Sequence, residues 1–196
     1  SRNLEEREKF ERLISDISGG FVIDASKDIK GVIQNWLRRI ADFFQVDGCN
    51  LRMFSKDGAR LEKAIGYLRE NSDPLPFSLH SDYLTWCMER WVRREPVVVN
   101  RLDDLPEAAK KERDYCLATN TKSVLAVPIA SGERTIGVFS LVSIHQEIEW
   151  PQDLIHRMMF VAEIFAAVLI RDRLETQLRD RLTRIERSQT RLVHEN

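Results

Sequence analysis

The feature that most constrains this chain lies at its C-terminal end: from Gln152 to Asn196 there is neither a glycine nor a proline. With no breaker, the stretch predicts one continuous helix, and its 45 residues at about 1.5 Å each make a rod of roughly 65 Å. Trp150-Pro151 opens it, with proline at the first helical position, where its missing N–H costs nothing. The first half carries a dense apolar stripe through Leu154, Ile155, Met158, Val161, Phe165 and Val168, which a folded body must cover. From Arg171 the composition turns to arginine and acid, with sparse apolar residues at Leu174, Leu178, Leu182, Ile185 and Leu192. Their spacings of 4, 4, 3 and 7 approach a coiled-coil seam, with one irregularity at Leu178–Leu182. A charged run of this kind can be a solvated single helix. So narrow a seam has nothing in its own chain to bury it, however, and favours pairing with a second copy.

Upstream, the hydrophobic period changes several times. Phe10, Leu13, Ile14 and Ile17 share one face and predict a helix over 4–18, stopped by Gly19-Gly20. Ser26 and Asp28 open a second helix with a broad apolar stripe from Ile29 to Phe44, ended by Gly48. Residues 49–54 alternate, and Asp57-Gly58 turns them into a hairpin. Residues 68–80 are polar with two prolines and read as a loop. A helical stretch over 81–94, a short strand over 96–100 and a loop with another short helix follow. Two strong strands, 123–130 and 134–144, then flank Ser131-Gly132-Glu133; Pro128 demands an edge or a bulge where it sits. Hairpin-linked strands make an antiparallel sheet, and helices before and after it can cover one face together. The class is α+β.

The bulk numbers exclude several functions. A net charge of −1, from 30 bases and 31 acids in 196 residues, gives no excess of cations for a nucleic-acid partner. No run nears the roughly 18–20 apolar residues of a membrane span, and SRNLEEREKF is too charged for a signal peptide. The expectation is a cytoplasmic segment with no membrane contact, cut from a longer chain. Cys49, Cys87 and Cys116 are widely spaced and read as reduced, packed thiols, not as a disulfide framework or metal cluster. His80, His145, His156 and His194 do not cluster, so no metal site and no catalytic residue is predicted.

The segments LDDLPEAA, SVLAVPI…GERTIGVFSL and the Trp-Pro helix opening resemble the GAF domain of bacterial sensor histidine kinases, PAS/GAF multidomain proteins and some response regulators. The resemblance covers roughly residues 10–175. It implies a PAS- and profilin-like antiparallel sheet of five or six strands, with helices on one face. On the other face, a lid of loops and short helices over 68–120 encloses any ligand. It also implies a homodimer whose last helix relays a signal to an attached output domain. The organisation expected is an N-terminal helix over 1–20, a GAF domain over 21–170 and a signalling helix over 171–196. The segment itself shows no phosphoacceptor histidine box, Walker A loop or kinase glycine loop.

Within that frame Arg52, Tyr83, Trp86, Cys87, Trp91, Val98, Phe139 and Leu141 are the candidate ligand-binding residues. Arg52, flanked by apolar residues on a strand, is either solvent-exposed or paired with an anion. No cofactor is evident. Bilin-binding GAF domains follow their attachment cysteine with histidine, whereas Met88 follows Cys87 here; no haem or cyclic-nucleotide motif is recognisable. Two alternatives stand beside a small-molecule sensor. One is a ligand-free dimerisation spacer; the other is a free methionine sulfoxide reductase working through Cys87 and Cys116.

Overall fold

The computed structural model describes residues 2–23, 28–69 and 78–194. Its elements run α1 (Arg2–Ile23), α2 (Ile29–Phe44), β1 (Gly48–Phe54), β2 (Arg60–Leu68), β3 (Ser78–His80), α3 (Thr85–Val92), β4 (Val97–Val99), α4 (Lys110–Ala118), β5 (Ser123–Ser131), β6 (Arg134–Ser143) and α5 (Gln152–His194). Single 3-10 turns lie at Ser81–Tyr83, Leu102–Asp104 and Glu107–Ala109. The six strands form one antiparallel sheet in the order β3-β2-β1-β6-β5-β4.

Three layers result. On one face α2 lies over β1 and β2, α5 lies over β5 and β6, and α1 packs beside α5. The core between them includes Ile17, Ile33, Leu37, Cys49, Leu51 and Phe165. On the other face α3, α4 and the 3-10 turns form a lid over a second, smaller core around Leu61, Trp91, Val97, Leu105 and Val138. The α+β architecture expected from the sequence, with helices covering one face of the sheet, is the one found.

Several local expectations need correction. Gly19-Gly20 does not end α1, which continues to Ile23, so the division at 20/21 falls inside a helix. Neither glycine adopts the left-handed conformation of a helix cap. Gly20 instead admits the Trp36 ring, which a Cβ there would strike at 2.9 Å. Asp28 does cap α2, accepting from the Gly31 N–H at 3.1 Å, whereas Ser26 lies outside the described residues. Gln45, with φ 53°, ends that helix in place of Gly48, which begins β1. The expected loop over 68–80 contains β3 at its end, with 70–77 outside the described residues. The helix expected over 81–94 shortens to a 3-10 turn and α3. Pro128 lies where β5 has run past β4, whose pairing stops at Ala126, so that side of β5 is locally an edge.

The root of α5 is pinned from two sides. Trp150 donates its indole N–H to the Val99 carbonyl at 3.2 Å and its backbone N–H to Asn100 Oδ1 at 3.0 Å. Asp47, entering β1, accepts from the Ile144 and His145 N–H groups at 2.6 and 3.2 Å and meets His145 Nδ1 at 2.8 Å. The connection from β6 to α5 is thus tied to both β4 and β1.

Beyond the domain α5 is solvated: from Arg173 to Arg191 every side chain except Thr183 is exposed. Leu174, Leu178, Leu182 and Ile185 leave 54–60% of their surface in water. The side chain of Leu192 lies outside those described. The stripe also extends back onto the domain: Phe160 is 51% exposed, Ile164 half-buried and Ala167 exposed. With Arg171 these positions continue the heptad alternation of four and three residues down to Leu178.

Candidate functional site

Strand alternation puts residues i and i+2 on one face, and that decides which side chains meet the lid. On β1, Cys49 and Leu51 belong to the helix-side core, while Asn50 and Arg52 face the lid. On β6, their partners Ser140 and Val138 share the lid face, while Phe139 and Leu141 lie under α5. The glycine opposite Met53, Gly137, allows β6 to approach β1 closely, because a Cβ there would collide with the Arg52 carbonyl.

Between that floor and the lid is a partly open cavity of about 90 Å³. Its walls are mostly Leu and Val; its polar lining comes from Arg52, Glu112, Tyr115, Thr121 and Ser140, with the thiols of Cys87 and Cys116. A wider groove of about 780 Å³, open to solvent, lies outside between the 81–83 turn and α4. Leu79 and Tyr115 border both spaces and form the partition between them.

Glu112 organises the lid. No side chain of α3 or of the residue before it caps that helix. Glu112 of α4 reaches across instead: its Oε1 accepts from the Trp86 and Cys87 N–H groups at 2.7 and 3.1 Å. A carboxylate at the positive end of a helix is favourable on both hydrogen-bond and dipole grounds. The residue is only 3% exposed, and its second oxygen, Oε2, is buried with no hydrogen-bond partner among the described residues. The far end of α3 is tied to the sheet by Trp91, whose indole donates to the Ala126 carbonyl at 3.4 Å and whose carbonyl accepts from Thr135 Oγ1 at 2.7 Å.

Burial governs the site's ionisation. It lowers the pKa of the Arg52 guanidinium, an effect opposed by the neighbouring Tyr115 phenol. Burial raises Tyr115, with Arg52 pulling it down and Cys116 pushing it up. It also raises the Cys87 thiol well above its usual value, reinforced by Glu112 and Cys116. Cys116 is pushed up to about 11 by burial and by Glu112. Both thiols stay protonated at neutral pH, the opposite of an activated nucleophile.

Of the candidate residues, Arg52, Cys87 and Trp91 line the cavity. Arg52 is 6% exposed, which removes the solvent-exposed alternative. Tyr83 is 60% exposed and borders the outer groove instead. Trp86 is half-buried against the lid core, with the Arg90 guanidinium carbon 3.5 Å from its ring centroid, and does not line the cavity. Val98 points outward between the inward Val97 and Val99. Phe139 and Leu141 face the helices, because the cavity takes the other parity of β6. Glu112 and Tyr115 are not among the candidates, because KKERDY carries no local sign that any of its residues is buried. Ser140, between Phe139 and Leu141, is a polar break in an apolar strand, the one signal in the sequence that marks it. Among the described residues no group of His, Cys, Asp or Glu could hold a metal ion, and no helix is long and apolar enough to cross a membrane.

The family profile of the GAF domain matches residues 28–169. No curated protein matches the chain. Among solved structures, the phycocyanobilin-bound GAF domain of a cyanobacterial phytochrome is similar, with 15% identity, a TM-score of 0.70, and coverage of 85% of this chain and 96% of that one. The third GAF domain of Slr1393 from Synechocystis sp. PCC6803, in its photoproduct state, shares 13% identity at TM-score 0.65, covering 77% and 99%. The PixJ GAF domain of Thermosynechococcus elongatus, in its blue-light absorbing form, shares 11% at TM-score 0.61, covering 88% and 95%. At these identities the structures establish a common fold.

Proposed function

This chain belongs to the GAF domain family, and on that footing we propose that it is a regulatory sensory module. A small molecule in the cavity biases a homodimer, and α5 carries the bias to an output domain, such as a histidine kinase, in a cytoplasmic two-component protein. The observation that supports this most directly is that β6 serves both the cavity and the helix. Val138 and Ser140 line the cavity, while Phe139 between them meets Phe165 of α5 edge-on, with centroids 5.8 Å apart. In an interior this densely packed, a displacement of the strand has to be taken up by the helix behind it. The relay needs only a difference in ligand affinity between two arrangements of the dimer, on the order of 1–3 kcal/mol. The exposed stripe from Phe160 to Ile185 supplies the surface a second copy would cover.

Two observations favour a ligand smaller than the bilin of the phytochrome relative. The cavity, about 90 Å³, is far below the roughly 300–1,000 Å³ of drug-sized sites. The Cys87 thiol is buried and held protonated, unsuited to covalent attachment. The same protonation of Cys87 and Cys116 weighs against reductase chemistry. Native mass spectrometry of protein purified from its own host tests the proposal. A dimer retaining a small molecule is expected; an empty monomer at every concentration would overturn it.

A further inference from the structure

Resting on the sensory reading, we propose that the cavity takes a small aliphatic amino acid. Its ammonium meets Glu112 on the lid, its carboxylate meets Arg52 and Ser140 on the floor, and its side chain lies among the Leu and Val walls. The lid supplies an acceptor: Glu112 lines the cavity, its Oε2 is buried with no partner among the described residues, and its Oε1 is already committed to the start of α3. A ligand hydrogen-bond donor, best a cation, is the complement of that oxygen. The floor supplies donors. Ser140 lines the cavity from β6, where it pairs with Asn50 of β1. Arg52, two residues along the same face, brings a guanidinium to the lining. Acceptor and donors therefore stand on opposite walls of one apolar space, and a molecule with a positive and a negative end on a short branched hydrocarbon fits both. A space of about 90 Å³ has no room for large side chains.

The same carboxylate that receives the ammonium holds the first N–H groups of α3, so occupancy bears on how α3 and α4 sit over the sheet. Burying either charged end of the ligand without a partner is expensive, which makes each end of the ligand separately decisive.

The test is isothermal titration calorimetry and thermal denaturation of the whole chain with L-valine and L-isoleucine. Isovalerate lacks the ammonium and isobutylamine lacks the carboxylate. The amino acids are expected to bind and raise the melting temperature, with each one-ended analogue weaker by roughly tenfold or more. Glu112→Gln should weaken the amino acids by a similar factor while leaving isovalerate unchanged. Should the loss of the α3 cap prevent that variant from folding, the ranking of probes on the unaltered chain decides the matter. Isovalerate binding as tightly as valine, or no binding of any probe at millimolar concentration, would overturn the amino-acid class. A different small molecule retained by the host-purified dimer would overturn it too, yet leave the sensory reading standing.

Discussion

Replacing Leu174 and Leu178 together by Asp tests the homodimer most directly. Each of the four seam residues from Leu174 to Ile185 has 54–60% of its surface in water. Fully burying a leucine or isoleucine is worth about 1.5–3 kcal/mol, so covering the remaining half contributes about 1–1.5 kcal/mol per side chain. Four from each of two helices give about 8–12 kcal/mol, against an association cost of about 4–15 kcal/mol. The seam alone therefore makes a marginal dimer, and the Phe160 stripe has to add to it. The double variant removes half of the seam from both helices, about 4–6 kcal/mol before the charges are counted, which raises the dissociation constant by about a thousandfold or more. Sedimentation equilibrium over a concentration series reads this directly. The same variant should keep its melting temperature as a monomer, because neither leucine touches the folded core. Dimerisation as strong as that of the unaltered chain would refute the reasoning, as would an unaltered chain that stays monomeric when concentrated.

Two further outcomes follow from the ionisable groups. Burial alone would raise Asp47, but its hydrogen bonds from Ile144 and His145 outweigh that and hold it below its ordinary 3.8. The stability it supplies is therefore present above that pH and is lost as pH falls through the lower native value. Asp47→Ala should cost about 2–4 kcal/mol at neutral pH, roughly 4–16 °C in melting temperature for a chain of this length, and should flatten the acid limb of the stability curve; an unchanged acid limb would count against the assignment. Cys87 and Cys116, buried and held protonated, should resist a thiol reagent at neutral pH until the protein is unfolded, and their double serine variant should show no loss of any sulfoxide-reducing activity. Rapid labelling of either thiol in the native protein would reopen the catalytic alternative.

The sequence by itself determined what depends on local periodicity and on breakers. The unbroken α5, the Asp28 cap, the Asp57-Gly58 turn and the β5–β6 hairpin are each written in a few neighbouring residues, and the order of elements sufficed for the α+β class and for the GAF resemblance. Tertiary structure alone decided which face of each strand meets the cavity. Both faces of this sheet are covered, so β6 is apolar at both parities, and Phe139 and Leu141 looked as eligible as Val138. It also decided the fate of Glu112, a charge in a run of charges until folding carries α4 beneath the start of α3. A side chain's period is a property of its own backbone, whereas its surroundings are supplied by residues far away in the chain; no local pattern encodes which distant group will arrive.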